Sequence, residues 1–150
     1  MRKNGFDVII IVILNKRSHI MKIGDTNEVK RVVTDEITAQ AGGSGALRVF
    51  GTPFLVAQME NAGLEYMARE LPEGKSSVGI LVSAEHTAPT PVGMEVTVRV
   101  TVTNISANGK IVDFDMEAFD EVGPIGKGHH QRAVIDVERF MGKCYGKLEK

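Results

Sequence analysis

Only one stretch of this chain carries a strong helical period. From Thr52 to Leu71, within GTPFLVAQMENAGLEYMAREL, apolar residues recur at intervals of three and four, and no later segment repeats that pattern strongly. The segments on either side alternate instead. Ser76 to Thr87, Met94 to Asn104, Ile111 to Asp120 and Ile125 to about Arg139 read as strands, and Glu28 to Thr38 reads as another before the helix. Met94 to Asn104 is the strictest, with Met94, Val96, Val98, Val100 and Val102 on one side and Glu95, Thr97, Arg99, Thr101 and Thr103 on the other. One helix among five strands predicts an α+β fold in which the sheet buries the apolar face of that helix. The consecutive strands suggest an antiparallel meander, with Asn108-Gly109 turning one hairpin.

The helix should begin with Thr52 as N-cap and Pro53 at the first helical position, and it should end before Pro72, Glu73 and Gly74. Its apolar stripe reads Val56, Ala57, Glu60, Gly63, Leu64, Met67 and Leu71, with Gln58, Asn61, Glu65 and Arg69 opposite. Glu60 is therefore an acid on an apolar face. His86 is a second anomaly, since alternation groups it with Val78, Ile80, Val82 and Ala84. Burial raises a carboxyl pKa and an adjacent imidazole restores its charge, a pairing suited to acid-base or nucleophilic work.

A chain of 150 residues with 43% hydrophobic content and a formal charge of -1 suits one soluble domain. It has no sustained Lys/Arg block and no interleaving of aromatic and basic residues, which argues against nucleic acid as a partner. Cys144 stands alone, so an intrachain disulfide and a Cys-rich metal site are excluded, and a reducing cytoplasm fits. Near the N-terminus the apolar run Val8 to Leu14 is too short to span a bilayer, and a basic stretch without a small-x-small cleavage pattern comes after it. No membrane association is expected. Residues 1–20 read as a leader or extra segment outside the fold, with a single domain over 21–150 opening near Met21. The loop Ala39 to Ala46, AQAGGSGA, lacks the Gly-Lys-Ser/Thr ending of a phosphate-binding loop and reads as linker or lid. His129 and His130, as strand neighbours, face opposite ways and cannot form a two-ligand metal site by themselves. Asp113, Asp115 and Glu117 read as an exposed acidic strand face.

The segments GTPFLVAQMENAG, GILVSAEHTAPTPVG and GKGHHQRAVID, taken together, resemble the fluoroacetyl-CoA thioesterase-like branch of the hotdog-fold thioesterases over about Val33 to Gly142. The resemblance implies an antiparallel five-stranded sheet wrapped around one long central helix. It implies a catalytic set of Thr52, Glu60 and His86, and it matches a strand motif Gly-x-His-x-Arg at Gly128, His130 and Arg132. The phenylalanine-bearing lid of fluoroacetate-specific members is not evident in AQAGGSGALRV. The implied activity is hydrolysis of a small acyl-CoA to a carboxylate and free CoA, with coenzyme A entering as part of the substrate and no metal or other cofactor. The alternative is a non-catalytic acyl-CoA or acyl-ligand binding protein of the same fold, with Glu60 and His86 as a structural polar pair. A hotdog dehydratase is disfavoured, because Asp-x-Asn-Pro-x-His does not occur.

Eight residues of helix separate Thr52 from Glu60, about 12 Å of rise, so the two cannot touch within one helix. Either Thr52 acts at a distance, or the helix start of one subunit meets Glu60 of its twofold mate, as in hotdog dimers generally. We favour the second, and we expect a homodimer or a dimer of dimers. Glu60 would attack the thioester carbonyl or activate a water, while His86 would orient Glu60 or protonate the departing sulfur. The helix start at Thr52 offers N-H groups to the oxyanion. Gly79, where a strand side chain is missing, either approaches the acyl carbonyl closely or marks a β-bulge. Arg132, with His130 beside it in the motif, is either a contact for the anionic part of CoA or part of a solvated or ion-paired strand face.

Overall fold

A computed structural model describes residues 20–150. The expected leader falls outside the described residues apart from Ile20, and Met21 packs against the core. The elements run β1 (Thr26–Val32), a 3-10 turn (Asp35–Ile37), α1 (Thr52–Glu70), β2 (Lys75–His86), β3 (Glu95–Ile105), β4 (Ile111–Phe119), β5 (Pro124–Asp136), α2 (Val137–Tyr145) and a closing 3-10 turn (Gly146–Glu149). All pairings are antiparallel, and the strand order is β1-β3-β4-β5-β2. β3, β4 and β5 form three strands of the meander expected of the four consecutive strands after the helix. β2 does not join β3, because its long return places it on the far side of β5, where it becomes an edge strand.

The core behaves as β3 predicts. Val96, Val98, Val100 and Val102 are buried against α1, together with Phe114 and Met116 of β4. From the helix, Leu55 and Met59 are fully buried, and each such side chain contributes roughly 1.5–3 kcal/mol of apolar burial. The buried stripe of α1 is rotated from the one the sequence suggests. It runs Leu55, Gln58, Met59, Ala62, Gly63, Tyr66 and Met67, while Ala57 is exposed and Val56, Glu60 and Leu64 lie on its margin. Gln58 is buried because its amide donates to the Val96 carbonyl at 3.0 Å, which offsets the cost of removing a polar group from water.

Two strand readings also shift. The register of β2 against β5 slips between Gly79 and Leu81, so Ile80 is an extra, bulged residue. Upstream of it Ser77 and Gly79 pair with the helix-side residues Val134 and Arg132, whereas downstream Val82, Ala84 and His86 take that side. Val78 and Ile80 therefore do not share the face of His86. β1 stops at Val32, short of the expected Thr38, and the last strand stops at Asp136, whose side chain accepts from Arg139 N and starts α2. No helix among the described residues is long and apolar enough to cross a membrane.

Candidate active site

The mouth of α1 and the end of β2 meet through one side-chain pair. The N-cap is Gly51, not Thr52, and no side chain caps the helix, so the Thr52 hydroxyl is free for another partner. It lies 2.8 Å from His86 Nδ1. Helix-start donors are fewer than expected, because Pro53 has no N-H and both Phe54 N and Leu55 N already donate to the Gly51 carbonyl. The Phe50 ring meets the His86 ring edge-on, with centroids 6.2 Å apart. Beside them lies a hollow of ≈ 270 Å³, whose lining includes Ala39, Ser44, Val49 and Ala88 as well as Thr52 and His86. Burial lowers the His86 pKa below the ordinary histidine value, opposed in part by the Ala88 backbone. His86 Nε2 is buried and makes no hydrogen bond among the described residues.

A second cluster surrounds Glu60. A Cβ on Gly79 would stand 2.9 Å from Glu60 Oε2 and 3.0 Å from His130 Cε1, so only the missing side chain lets both groups approach the β2 backbone. Gly79 thus stands just before a bulge, the second of its two expected readings, and the groups that approach it closely are Glu60 and His130. Behind it His130 is wholly buried and Arg132 is 4% exposed. His130 Nδ1 sits 2.7 Å from the Leu81 carbonyl, which can only accept, so Nδ1 carries the proton. Arg132 has only donors, and its Nη1 lies 3.1 Å from His130 Nε2, which must accept. The imidazole is held neutral. Its pKa is lowered by burial first, with the Leu81 carbonyl raising it and the Arg132 charge lowering it. Arg132 Nε and Nη2 donate to Ser77 Oγ and the Ser77 carbonyl at 2.8 and 2.9 Å, and Nη1 points to the Glu60 carbonyl oxygen at 3.4 Å. Arg132 is therefore neither a solvated strand face nor open to a CoA phosphate. Its guanidinium ties β2, β5 and α1 together at Glu60.

A model of the fluoroacetyl-CoA-specific thioesterase family matches residues 33–138, well over half of the chain. The chain belongs to that family. It is 42% identical over 95 residues to the fluoroacetyl-CoA thioesterase of Streptantibioticus cattleyicolor, spanning 63% of this chain and 67% of that one. A crystal structure of a point variant of the fluoroacetyl-CoA-specific thioesterase FlK, in complex with fluoroacetate and CoA, superposes with a TM-score of 0.75 at 34% identity, covering 80% of this chain and 99% of that one. A hot-dog-like protein from Thermanaerovibrio acidaminovorans gives a TM-score of 0.77 at 26% identity, covering 85% and 93%. The fold is accordingly the hotdog, a curled antiparallel sheet around α1.

Against this thioesterase family background, one chain brings its site residues together in two groups instead of one. Thr52 pairs with His86, and Glu60 packs with Gly79, His130 and Arg132. Glu60 and His86 are not partners within the chain, because Gly79 beside Glu60 and His86 are seven residues apart on β2, on the order of 20 Å. The outward-facing residues form a separate network. His129 lies between Asp113 and Asp115 at 3.2 and 3.3 Å, turned away from His130 as strand alternation requires. Asp113 is not exposed, contrary to its place in the alternation. Burial opposes its charge, but hydrogen bonds from Gln131, Asn104 and His129 hold its pKa below the usual carboxyl value. Sequence reasoning missed Ser77, whose hydroxyl and carbonyl fix Arg132; a serine two residues before Gly79 on a strand carried no signal by itself.

Proposed function

We propose that this chain hydrolyses a small acyl-CoA to a carboxylate and free CoA, at a site that two copies complete across their β2 edges. The observation that carries this reading is the placing of both groups on one edge strand. Gly79 with Glu60 lies before the bulge, His86 with Thr52 at the strand end, and Ile80, Leu81 and Val82 between them are 53%, 47% and 41% exposed. An unpaired edge carrying exposed apolar residues calls for cover. Antiparallel pairing with Ser83 on the twofold axis sets Val82 opposite the partner subunit's Ala84 and brings the Gly79–Ile80 bulge opposite the partner subunit's His86. Both then face the helix side of the joined sheet. Glu60 of one copy and the Thr52–His86 pair of the other would enclose a thioester from two sides.

In that arrangement Glu60 takes a proton from a water that attacks the thioester carbonyl, or attacks the carbonyl itself to form an acyl–Glu60 anhydride that a water then hydrolyses to the carboxylate. In either route the C-S bond breaks as the oxyanion collapses, the Thr52–His86 pair gives a proton to the departing sulfur, and the proton released from the water, passed on by Glu60 or through solvent, restores the pair. His130 and Arg132 are positioning residues, because they hold Glu60 and the Gly79 backbone without reaching solvent. The hollow beside His86, ≈ 270 Å³ and lined by Phe50, Val49 and Pro89 as well as Ala39, Ser44 and Ala88, supports a short acyl group by its volume. The test is thiol release from a panel of short-chain acyl-CoAs. Wild type should turn over at least one member, and Glu60→Gln should lower kcat by about a thousandfold or more while retaining acyl-CoA binding. Binding of acyl-CoA by wild type without hydrolysis of any member would replace this reading with a non-catalytic binding protein.

A further inference from the structure

Among the described residues, seven of the thirteen exposed large apolar side chains lie at one end of the sheet, which marks that end as a contact surface. Ile20 and Ile23 precede β1, where Gly24 N donates to the Val102 carbonyl near the end of β3. The other five are Val137, Phe140, Met141, Tyr145 and Leu148, on α2 and the closing turn, which follow β5 at the same end. Their spacing is that of one face. At 3.6 residues per turn Val137, Met141, Cys144, Tyr145 and Leu148 fall within about 100° of arc. No residue of α2 is buried, and exposure climbs from 39% at Val137 to 81% at Leu148, so the stripe stands open.

Charge indicates what the stripe fits. From Val137 to the C-terminus Arg139, Lys143, Lys147 and Lys150 stand against Glu138 and Glu149, in a chain whose formal charge is -1. Arg139, Lys143 and Lys147, each four residues from the next, form one flank of the stripe, and Lys75 and Lys110 stand beside Arg139 and Lys143 around a shared hollow. Asp136 engages Lys75 at 3.5 Å, while Lys110, Lys143 and Lys147 have no ion-pair partner among the described residues. A basic helix with an open apolar stripe is the pattern of a segment that lies in a bilayer interface, its apolar side among the acyl chains and its long cationic side chains reaching the headgroup phosphates. Unpaired cations along one flank match a fluid surface of phosphates, which needs no fixed set of carboxylates opposite them. No described helix is long and apolar enough to cross a bilayer, and α2 has only to lie on one. We propose that α2 docks the protein on an anionic lipid surface, with Val137, Met141, Tyr145 and Leu148 entering the interface and Arg139, Lys143 and Lys147 on the phosphates. The docking goes beyond the thioesterase reading and does not depend on it.

The test uses the full chain and the thiol of Cys144, its single cysteine, which is exposed on the stripe. Labelled there with an environment-sensitive fluorophore, the protein is titrated with vesicles of phosphatidylglycerol and phosphatidylcholine in equal parts, and with vesicles of phosphatidylcholine alone. Emission should rise and shift to the blue on the anionic vesicles, much less on the neutral ones, and the response should weaken as salt is added. Lys143→Ala/Lys147→Ala should reduce affinity for the anionic vesicles about thirtyfold, and Met141→Asp should abolish the shift. All three side chains are exposed, so these substitutions leave the fold intact. An absent response, an equal response to both vesicles, or binding that both variants retain would overturn the docking. Blue emission before any vesicle is added would mean that protein already covers the stripe, through a second copy or another segment of the chain, and would overturn it as well. Thiol release from a soluble acyl-CoA should be the same in both variants as in wild type, so loss of the docking leaves the thioesterase reading standing. Failure of wild type to hydrolyse any thioester would remove that reading and leave the vesicle result unaffected.

Discussion

Glu60 sits at the margin of the helix's buried stripe, pressed to a strand position that has no side chain. Gly79→Ala should therefore push aside the Glu60 carboxyl or the His130 ring. A displacement near 1 Å costs about a hundredfold in rate. We expect kcat/KM to fall by about that much, with the fold retained by circular dichroism; an alanine variant with wild-type turnover would show that the close approach is not used. His86 and His130 predict the pH response. Burial lowers both pKa values, so the unfolded chain, near 6.5, takes up protons that the folded chain refuses, and stability falls as pH drops below about 6.5. Thermal melts from pH 7.5 to 5 should show the midpoint falling, with a shallower slope in His130→Asn; an unchanged midpoint would contradict the neutral, buried state. The residue types of this site were legible in the sequence, but their partners were not. Thr52 and His86 stand thirty-four positions apart and meet at 2.8 Å, and no spacing rule announces that contact.

At the scale of elements, β3 was the most legible, since its alternation maps directly onto buried Val96, Val98, Val100 and Val102. The phase of α1 was not, because Ala57 and Gln58 carry little information about which side is buried until a carbonyl such as that of Val96 is placed opposite. β2 misled for a different reason. One bulged residue, Ile80, reverses the parity of everything upstream, and a glycine before it is the only local sign. α2 had a readable signal in Asp136 as N-cap ahead of Val137, Phe140 and Met141 at helical spacing. The β2 edge itself yields a prediction. If two copies pair with Ser83 on the axis, the two Ser83 Cα atoms stand about 4.5–5.5 Å apart, within disulfide reach. Ser83→Cys, made in a Cys144→Ser background because Cys144 is exposed, should oxidise to a covalent dimer on a non-reducing gel. A product that stays monomeric after oxidation would contradict that register.

For the whole molecule, the hotdog sheet wraps α1 with its helix-facing side and leaves β2 as an apolar edge whose two ends carry the Glu60–Gly79 cluster and the Thr52–His86 pair, the two halves of the proposed site. In the proposed chemistry neither half suffices alone among the described residues: Glu60 has its positioning groups but no proton donor for the leaving thiol, and the Thr52–His86 pair has no carboxyl beside it. The proposed twofold pairing would meet both shortages at once, and it would give each dimer two equivalent sites. Subunit mixing tests this most directly. Thr52→Ala and Glu60→Gln, each assayed alone, should be nearly inactive. Co-refolded in equal amounts, they should recover about a quarter of wild-type thioester hydrolysis, because half of the dimers are mixed and each mixed dimer has one site with both groups intact. Recovery to that level is the predicted result. A mixture no more active than its two components would place the whole catalytic set within one chain and contradict the shared site.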